Sequence, residues 1–275
     1  MKLLESLFNT LMLSVVELFL LLGFLIGVGF LLGVFEKYSN KFLYKALGPR
    51  GVLATAWVGT PIHEFGHLIQ CFIWGHRVTR VKFLQLNNPN GVLGYVEHQY
   101  NPGSMYQQIG NFFIGMGPIF SGISALMLGM YVLVPESYHT FSEYIHNYVS
   151  PDLHNSDHLM VIGSAILAIT KSLFTFENLL NPLFWIFLLF AISISSHIAL
   201  SKADINGSAR GLLMIFIVLV ITNLVTGFFN IDTYRFIVRL TEYNAYVLAF
   251  SSIALLFSFI TLLISYILYK LKSGW

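Results

Sequence analysis

The sequence predicts an all-α membrane protein with about six transmembrane helices and a small β-hairpin between the second and third. Only 10% of the 275 residues are charged and 56% are hydrophobic, whereas a soluble domain carries about 25% charged residues. Several apolar stretches reach the roughly 20 residues that a helix needs to cross a bilayer. This composition excludes a soluble enzyme, a disordered chain and a nucleic-acid-binding protein, because too few charges remain to cover a surface in water.

Six stretches are long and apolar enough to be transmembrane helices. They are approximately 11–35, 52–74, 110–134, 182–200, 211–229 and 245–269. The stretch 158–176 is shorter and contains Lys171, so it stays open whether this segment crosses the membrane. Because internal repeats and long polar linkers are lacking, we expect one membrane-embedded domain over residues 1–275.

The interval between the second and third stretches predicts a β-hairpin over residues 77–100. Residues 77–86 alternate polar and apolar side chains, and residues 92–100 do so more loosely. Between them lies the segment 87–91 (NNPNG), which is rich in turn-forming residues. Two β-prone runs joined in this way are typical of a hairpin, and an irregular loop is the alternative.

The distribution of basic residues predicts the orientation, because cytoplasmic loops are enriched in Lys and Arg. The hairpin 77–100 is basic, whereas the loop 135–157 contains four acidic residues and no Lys or Arg. The hairpin is therefore expected on the cytoplasmic side, together with Lys270 and Lys272. The segment 36–50 disagrees with this scheme, since it contains three Lys and one Arg but is placed outside.

The motif with the clearest chemistry is HEFGH, inside the second apolar stretch. On a helix, His63 and His67 are one turn apart on the same face, so both imidazoles can bind one Zn²⁺. Glu64 is then placed as the general base for the water that the metal activates. Ionisable residues inside a transmembrane segment are costly and usually functional. The alternative is a polar cluster that packs helices together without a metal.

Four short segments resemble the site-2 protease family of intramembrane zinc metalloproteases. Segment 61–67 (PIHEFGH) and segment 75–78 (GHRV) are similar to the zinc-binding helix of that family and the step that follows it. Segment 94–96 (GYV) resembles its Gly-Tyr-Val strand. Segment 115–121 (GMGPIFS) resembles its Gly-Pro-x-x-Asn helix, with Ser121 in place of the usual Asn. The resemblance covers about residues 52–133.

The resemblance implies a third zinc ligand, which in the family is an Asp after an Asn-x-x-Pro sequence. Segment 178–182 (NLLNP) matches the first half of that pattern, but no Asp follows closely. Asp204 is the nearest candidate. If 158–176 does not cross, stretch 182–200 delivers Asp204 to the cytoplasmic side, where His63 and His67 are expected; a crossing would place it on the opposite side.

His197 is the alternative third ligand. It precedes Asp204 by seven residues, so both would share one face of a continuous helix. It could instead donate a hydrogen bond to the transition state, or bond only to a neighbouring helix. The sequence leaves these roles open.

Together, these features predict a zinc-dependent endopeptidase that cleaves in or near transmembrane segments of membrane-protein substrates. Its catalytic core is expected at about residues 52–210, with an active site towards the cytoplasmic side of the lipid bilayer. The hairpin would offer an edge strand to an unwound substrate. Two alternatives are a zinc peptidase that acts on soluble or lipidated peptides and a non-enzymatic transporter or interaction protein.

Overall fold

The computed structural model describes residues 2–86, 91–149, 158–229, 231–241 and 243–273. These residues form helices and one two-stranded sheet: α1 (Lys2–Leu47), α2 (Pro49–Ile73), β1 (Arg77–Lys82), β2 (Tyr95–Gln99), α3 (Met105–Leu133), α4 (Pro135–Tyr148), α5 (His158–Leu173), α6 (Phe176–Leu180), α7 (Pro182–Ser195), α8 (Lys202–Phe228), α9 (Thr233–Thr241) and α10 (Asn244–Ser273). Most of the predicted turn 87–91 and the end of the acidic loop 135–157 lie outside the described residues.

Four helical segments among the described residues are long and apolar enough to cross a membrane. They are Leu4–Leu47, Met105–Leu133, Lys202–Phe228 and Thr233–Ser273. Two apolar helices, Met160–Leu173 and Pro182–Ser195, are shorter. Each of the six predicted stretches lies largely in a helix, so the predicted all-α architecture is confirmed. The stretches 52–74 and 182–200 are not among the four helices that are long and apolar enough to cross a membrane.

Helices α2 and α3 pack antiparallel and very closely. At Gly66 and Gly117 the two backbones approach so tightly that a Cβ on either residue would meet the other backbone within 2.6 Å. The Ser121 hydroxyl of α3 donates a hydrogen bond to the Ile62 carbonyl oxygen of α2 at 2.7 Å. Because glycine has no side chain, these positions allow the site residues of α2 to lie directly against α3.

Helices α7 and α8 follow one another in the same direction along α3. Moving from the C-terminal towards the N-terminal end of α3, the successive contacts are Gly129 with Phe190, Gly122 with Ile198, and Gly115 with Ser208. The apolar stretches predict that 182–200 and 211–229 are separate crossings, which would run in opposite directions. The chain does not reverse between them, because the short link 196–201 leads straight into the capped N-terminus of α8.

Helices α4, α5 and α6 bring the chain back to the C-terminal end of α3. The hydroxyl of Ser137, at the start of α4, donates to the carbonyl oxygen of Ser172, at the end of α5, at 2.8 Å. The Asn178 side chain of α6 donates to the Ser137 hydroxyl at 2.9 Å. The chain therefore enters α7 at the same end of the bundle where it leaves α3.

Helices α1 and α10 lie side by side and run parallel. The Asn244 side chain donates to the Leu20 carbonyl oxygen at 2.8 Å, and further along the rings of Phe42 and Tyr266 are 5.3 Å apart. The C-terminal ends of both helices thus lie at the same end of the bundle. The basic-residue scheme places the C-terminus and the segment 36–50 on opposite sides of the membrane, whereas the structure places them at the same end of the bundle.

The predicted hairpin is present as the antiparallel pair β1–β2. Arg77 pairs with Gln99 and Lys82 with Tyr95, with an irregularity between Val78 and Arg80. Beyond the strands, the Gln85 amide donates to the Leu93 carbonyl oxygen at 2.7 Å, which continues the pairing. The hairpin folds back along α2, so that its second arm reaches the predicted site.

Candidate metal centre

Helix α2 places the three motif residues at the centre of the bundle. His63 and His67 are one helical turn apart, and their ring centroids are 5.0 Å apart. Glu64 and His67 are buried, with 6% and 7% of their surfaces exposed. Such burial of two ionisable residues requires partners, because an unpaired polar group inside the protein is costly.

Asp204 reaches this pair from the first turn of α8. Its Oδ1 lies 3.1 Å from His67 Nε2, and its Oδ2 lies 3.5 Å from His63 Nε2. The two Nε2 atoms are 3.2 Å apart. The side chains of His63, His67 and Asp204 thus form one group among the described residues that could hold a metal ion.

A capping box fixes the Asp204 carboxylate. The Ser201 hydroxyl accepts from the Asp204 amide at 3.2 Å, and Asp204 Oδ2 accepts from the Ser201 amide at 2.7 Å. This reciprocal arrangement is typical of a helix N-terminus. It holds the carboxylate where α8 begins and leaves Oδ1 directed at His67.

The second nitrogen of each histidine donates to a main-chain carbonyl. His63 Nδ1 lies 2.7 Å from the His197 oxygen, and His67 Nδ1 lies 2.7 Å from the Ile114 oxygen. Since a carbonyl oxygen only accepts, both Nδ1 atoms carry the proton. In the neutral rings, both Nε2 atoms therefore present lone pairs to each other and to the carboxylate, an arrangement that a cation would satisfy.

Pro118 explains why the Ile114 carbonyl is available to His67. In a regular helix, that oxygen accepts from the amide of residue 118, four positions later. Proline has no amide hydrogen, so the Ile114 oxygen of α3 has no helical donor. His67 supplies the missing donor from α2.

The donor set and its dimensions fit zinc. Zinc binds His nitrogen and carboxylate oxygen at about 2.0–2.2 Å in tetrahedral geometry, which places neighbouring donors about 3.3 Å apart. The three measured separations, from 3.1 to 3.5 Å, bracket this value. Two His and one carboxylate also leave a fourth position open, as in catalytic zinc sites.

The imidazole of His197 is not part of this group. The Thr55 hydroxyl donates to the Val52 carbonyl oxygen at 3.0 Å, so it accepts from His197 Nε2, also at 3.0 Å. The sequence leaves the His197 side chain open as an alternative third ligand, whereas the structure directs it at Thr55 and away from the donor group. His197 contributes its main-chain oxygen, which orients His63.

The site opens into a cavity of about 930 Å³. Helices α1, α2, α3 and α8 and the arm 91–100 of the hairpin contribute to its walls. Gly94 lies against Glu64, since a Cβ at position 94 would be 2.7 Å from Glu64 Cγ and 2.9 Å from Thr60 Cγ2. Glu64 thus lies between the donor group and the hairpin.

Two further histidines lie between the hairpin and α3. His76 is buried; its Nε2 donates to the Gln107 carbonyl oxygen at 2.8 Å, and its Nδ1 lies 2.9 Å from Nδ1 of His98. His98 also borders the cavity. Burial lowers the pKa of His76, and burial with the neighbouring charges of His76 and His67 lowers the pKa of His98 to about 4.

Glu36 of α1 is another cavity residue that sequence patterns did not single out. Its Oε2 accepts from the Ala199 amide at 2.8 Å, in the link between α7 and α8. An acidic residue near the end of the first apolar stretch was the one available signal.

Comparison of the chain with protein-family models, with curated proteins and with solved structures gives no match. The resemblance to the site-2 protease family therefore rests on the motifs and on the site itself.

Proposed function

We propose that this protein is a zinc-dependent intramembrane endopeptidase that hydrolyses peptide bonds in or near transmembrane segments of its substrates. The observation that carries the proposal is the convergence of the Nε2 atoms of His63 and His67 and the Asp204 carboxylate beside Glu64. A metal site with an adjacent carboxylate, in a cavity, is the arrangement of a hydrolytic metalloenzyme.

His63, His67 and Asp204 would hold the ion. Zinc, when bound at such a site, acidifies a water molecule and polarises the substrate carbonyl. Glu64 accepts the proton from the attacking water and delivers it to the leaving nitrogen, which is the role of a general acid–base residue. The His197 and Ile114 carbonyl oxygens keep both imidazoles in the orientation that this chemistry requires.

The hairpin supports binding of an extended substrate. A helical peptide hides its carbonyl groups in its own hydrogen bonds, so cleavage requires a locally unwound segment. In the described part of the chain β2 pairs with β1 alone, and residues 92–96 border the cavity. Addition of a substrate strand to β2 would place its carbonyls beside Glu64.

The surroundings of the site support the proposed substrate class. Helices α1, α3 and α8, which border the site, are long and apolar enough to cross a membrane, and hydrolysis there requires a polar cavity that admits water. We propose that the hairpin side faces the cytoplasm, supported by Arg77, Arg80 and Lys82. The basic residues of the segment 36–50 and of the C-terminus then lie towards the other side.

The variant Glu64→Gln tests the proposal. It should retain zinc and lower cleavage of a substrate with a transmembrane segment by about 10²–10⁴-fold, because the general base is lost. His197→Ala is the matched control; it keeps the main-chain carbonyl, so zinc content should be unchanged. Unaltered activity of Glu64→Gln would favour a transporter or interaction protein. If wild type cleaves soluble peptides as well as it cleaves a substrate with a transmembrane segment, the result would favour a zinc peptidase that acts on soluble or lipidated peptides.

A further inference from the structure

The link between α7 and α8, residues 196–201, orients two of the three metal donors. The His197 carbonyl oxygen accepts from His63 Nδ1 at 2.7 Å. The Ser201 amide donates to Asp204 Oδ2 at 2.7 Å. The position of this link therefore decides whether His63 and Asp204 converge.

Glu36 holds the centre of the link from a different helix. Its Oε2 accepts from the Ala199 amide at 2.8 Å. Ala199 is buried, with 7% of its surface exposed, so its amide requires a partner inside the protein. A carboxyl oxygen can accept this bond whether the side chain is ionised or protonated, so Glu36 can hold the Ala199 amide in either state.

The placement of Glu36 is unfavourable unless it has a role. The residue lies inside the apolar helix α1 and borders the same cavity as Asp204. Burial of a carboxyl group in such a helix costs free energy unless the group is hydrogen-bonded. A substitution by an apolar residue would remove this cost, and it would also remove the bond that fixes the link.

We propose that Glu36 is a positioning residue of the metal centre, which acts by anchoring the Ala199 amide and thereby the donors His63 and Asp204. The expected effect of Glu36 on zinc binding rests on the proposed function. Partners that orient metal ligands in this way typically affect metal affinity by about 10–100-fold.

The test compares wild type with Glu36→Ala, Glu36→Gln and Asn40→Ala. Asn40 lies one turn further along α1 and borders the same cavity, but its side-chain oxygen has no hydrogen-bond partner, so it controls for changed cavity volume. Amide hydrogen exchange of residues 196–201 is measured in the metal-free proteins. Zinc affinity is measured by competition with a chelator.

We expect Glu36→Ala to accelerate exchange in the link and to weaken zinc binding by about 10–100-fold. Glu36→Gln keeps an acceptor oxygen and should stay within about threefold of wild type, as should Asn40→Ala. Unchanged exchange or unchanged zinc affinity in Glu36→Ala would overturn the proposal, as would an equal loss in Glu36→Gln.

Failure of the proposed function gives a different result. If wild type takes up no zinc, the proposed peptidase and the role of Glu36 in metal binding are both refuted. The exchange measurement then decides separately whether Glu36 holds the link, since it needs no metal.

Discussion

Pro118 shows how one residue on a neighbouring helix can orient the imidazole of a candidate metal ligand. Its missing amide frees the Ile114 carbonyl, and His67 Nδ1 donates to that oxygen at 2.7 Å. The Nε2 atom of the same ring then faces His63 and Asp204. The Gly-Pro motif of α3 thus has a chemical role in addition to close packing.

The variant Pro118→Ala should weaken zinc binding by about tenfold, because an alanine at this position offers the Ile114 oxygen a helical amide that competes with His67. Chelator competition measures the change. Pro61→Ala is the control, since Pro61 is the other proline inside a described helix and lies in α2 itself. An equal loss in both variants would show that helix shape, rather than the freed carbonyl, controls affinity.

His76 and His98 make the docking of the hairpin sensitive to acid. Burial lowers both pKa values, that of His98 to about 4 from an ordinary 6.5. An undocked hairpin therefore binds more protons as the pH falls from about 6.5 towards 4, and docking loses stability over that range. The free energy of unfolding should fall from pH 7 to pH 5 in wild type and fall less in His98→Gln. Equal pH dependence in both proteins would contradict this assignment.

The sequence identified the local part of the site and missed the part built from distant segments. His63, Glu64 and His67 form a short motif, and Asp204 could be selected as a nearby acid on a later helix. Glu36 bonds to a residue 163 positions away, so no spacing in the sequence relates the two. The roles of Ile114 and His197 depend on main-chain oxygens, which residue identity does not reveal.

At the scale of elements, the hairpin is coupled to the site through Gly94. A Cβ at this position would lie 2.7 Å from Glu64 Cγ and 2.9 Å from Thr60 Cγ2, closer than side chains approach each other. The turn signal and the alternating pattern predicted the two strands. They gave no information about the docking of the hairpin on α2, which depends on tertiary contact.

The variant Gly94→Ala should displace Glu64 or the hairpin, lower cleavage by at least tenfold and leave the zinc content unchanged. Gly207→Ala is a matched control, because Gly207 borders the same cavity and has no atom near its added Cβ. Cleavage activity and zinc content are measured for both variants. Normal activity in Gly94→Ala would mean that the hairpin does not constrain Glu64.

Apolar stretches predicted the positions of the main helices but not their directions. Residues 182–200 and 211–229 look like two crossings, because a polar interval separates them. In the structure, α7 and α8 continue in one direction along α3, and the polar interval forms the first turns of α8, which present Asp204. Hydropathy records how apolar a segment is, whereas the direction of a helix is set by the geometry of its ends.

At the scale of the whole molecule, the parallel packing of α1 and α10 places the basic ends of both helices together. The Lys45 ammonium group lies 5.2 Å from the centre of the Tyr269 ring, near the C-terminus of α10. The hairpin leaves α2 at the opposite end, beside the start of α3. Lys and Arg residues therefore occur at both ends of the bundle.

Cysteine labelling in intact cells tests this arrangement. Cys71 is the one native cysteine, so single cysteines at exposed positions 41, 80 and 272 can be compared in a Cys71→Ser background. We expect Lys41→Cys and Lys272→Cys to react with an impermeant reagent from the same side, and Arg80→Cys from the other. Reaction of positions 41 and 272 from opposite sides would contradict the parallel arrangement.

The central claim is that His63, His67 and Asp204 hold one zinc ion, and the most direct measurement is the zinc content of the purified protein. Wild type, His67→Ala and Asp204→Ala are purified in detergent, supplied with zinc and analysed for metal per chain. We predict about one zinc in wild type and none in either variant, because each variant removes a donor from a three-donor site. Wild type that takes up no zinc, or an Asp204→Ala variant that retains it, would contradict the claim.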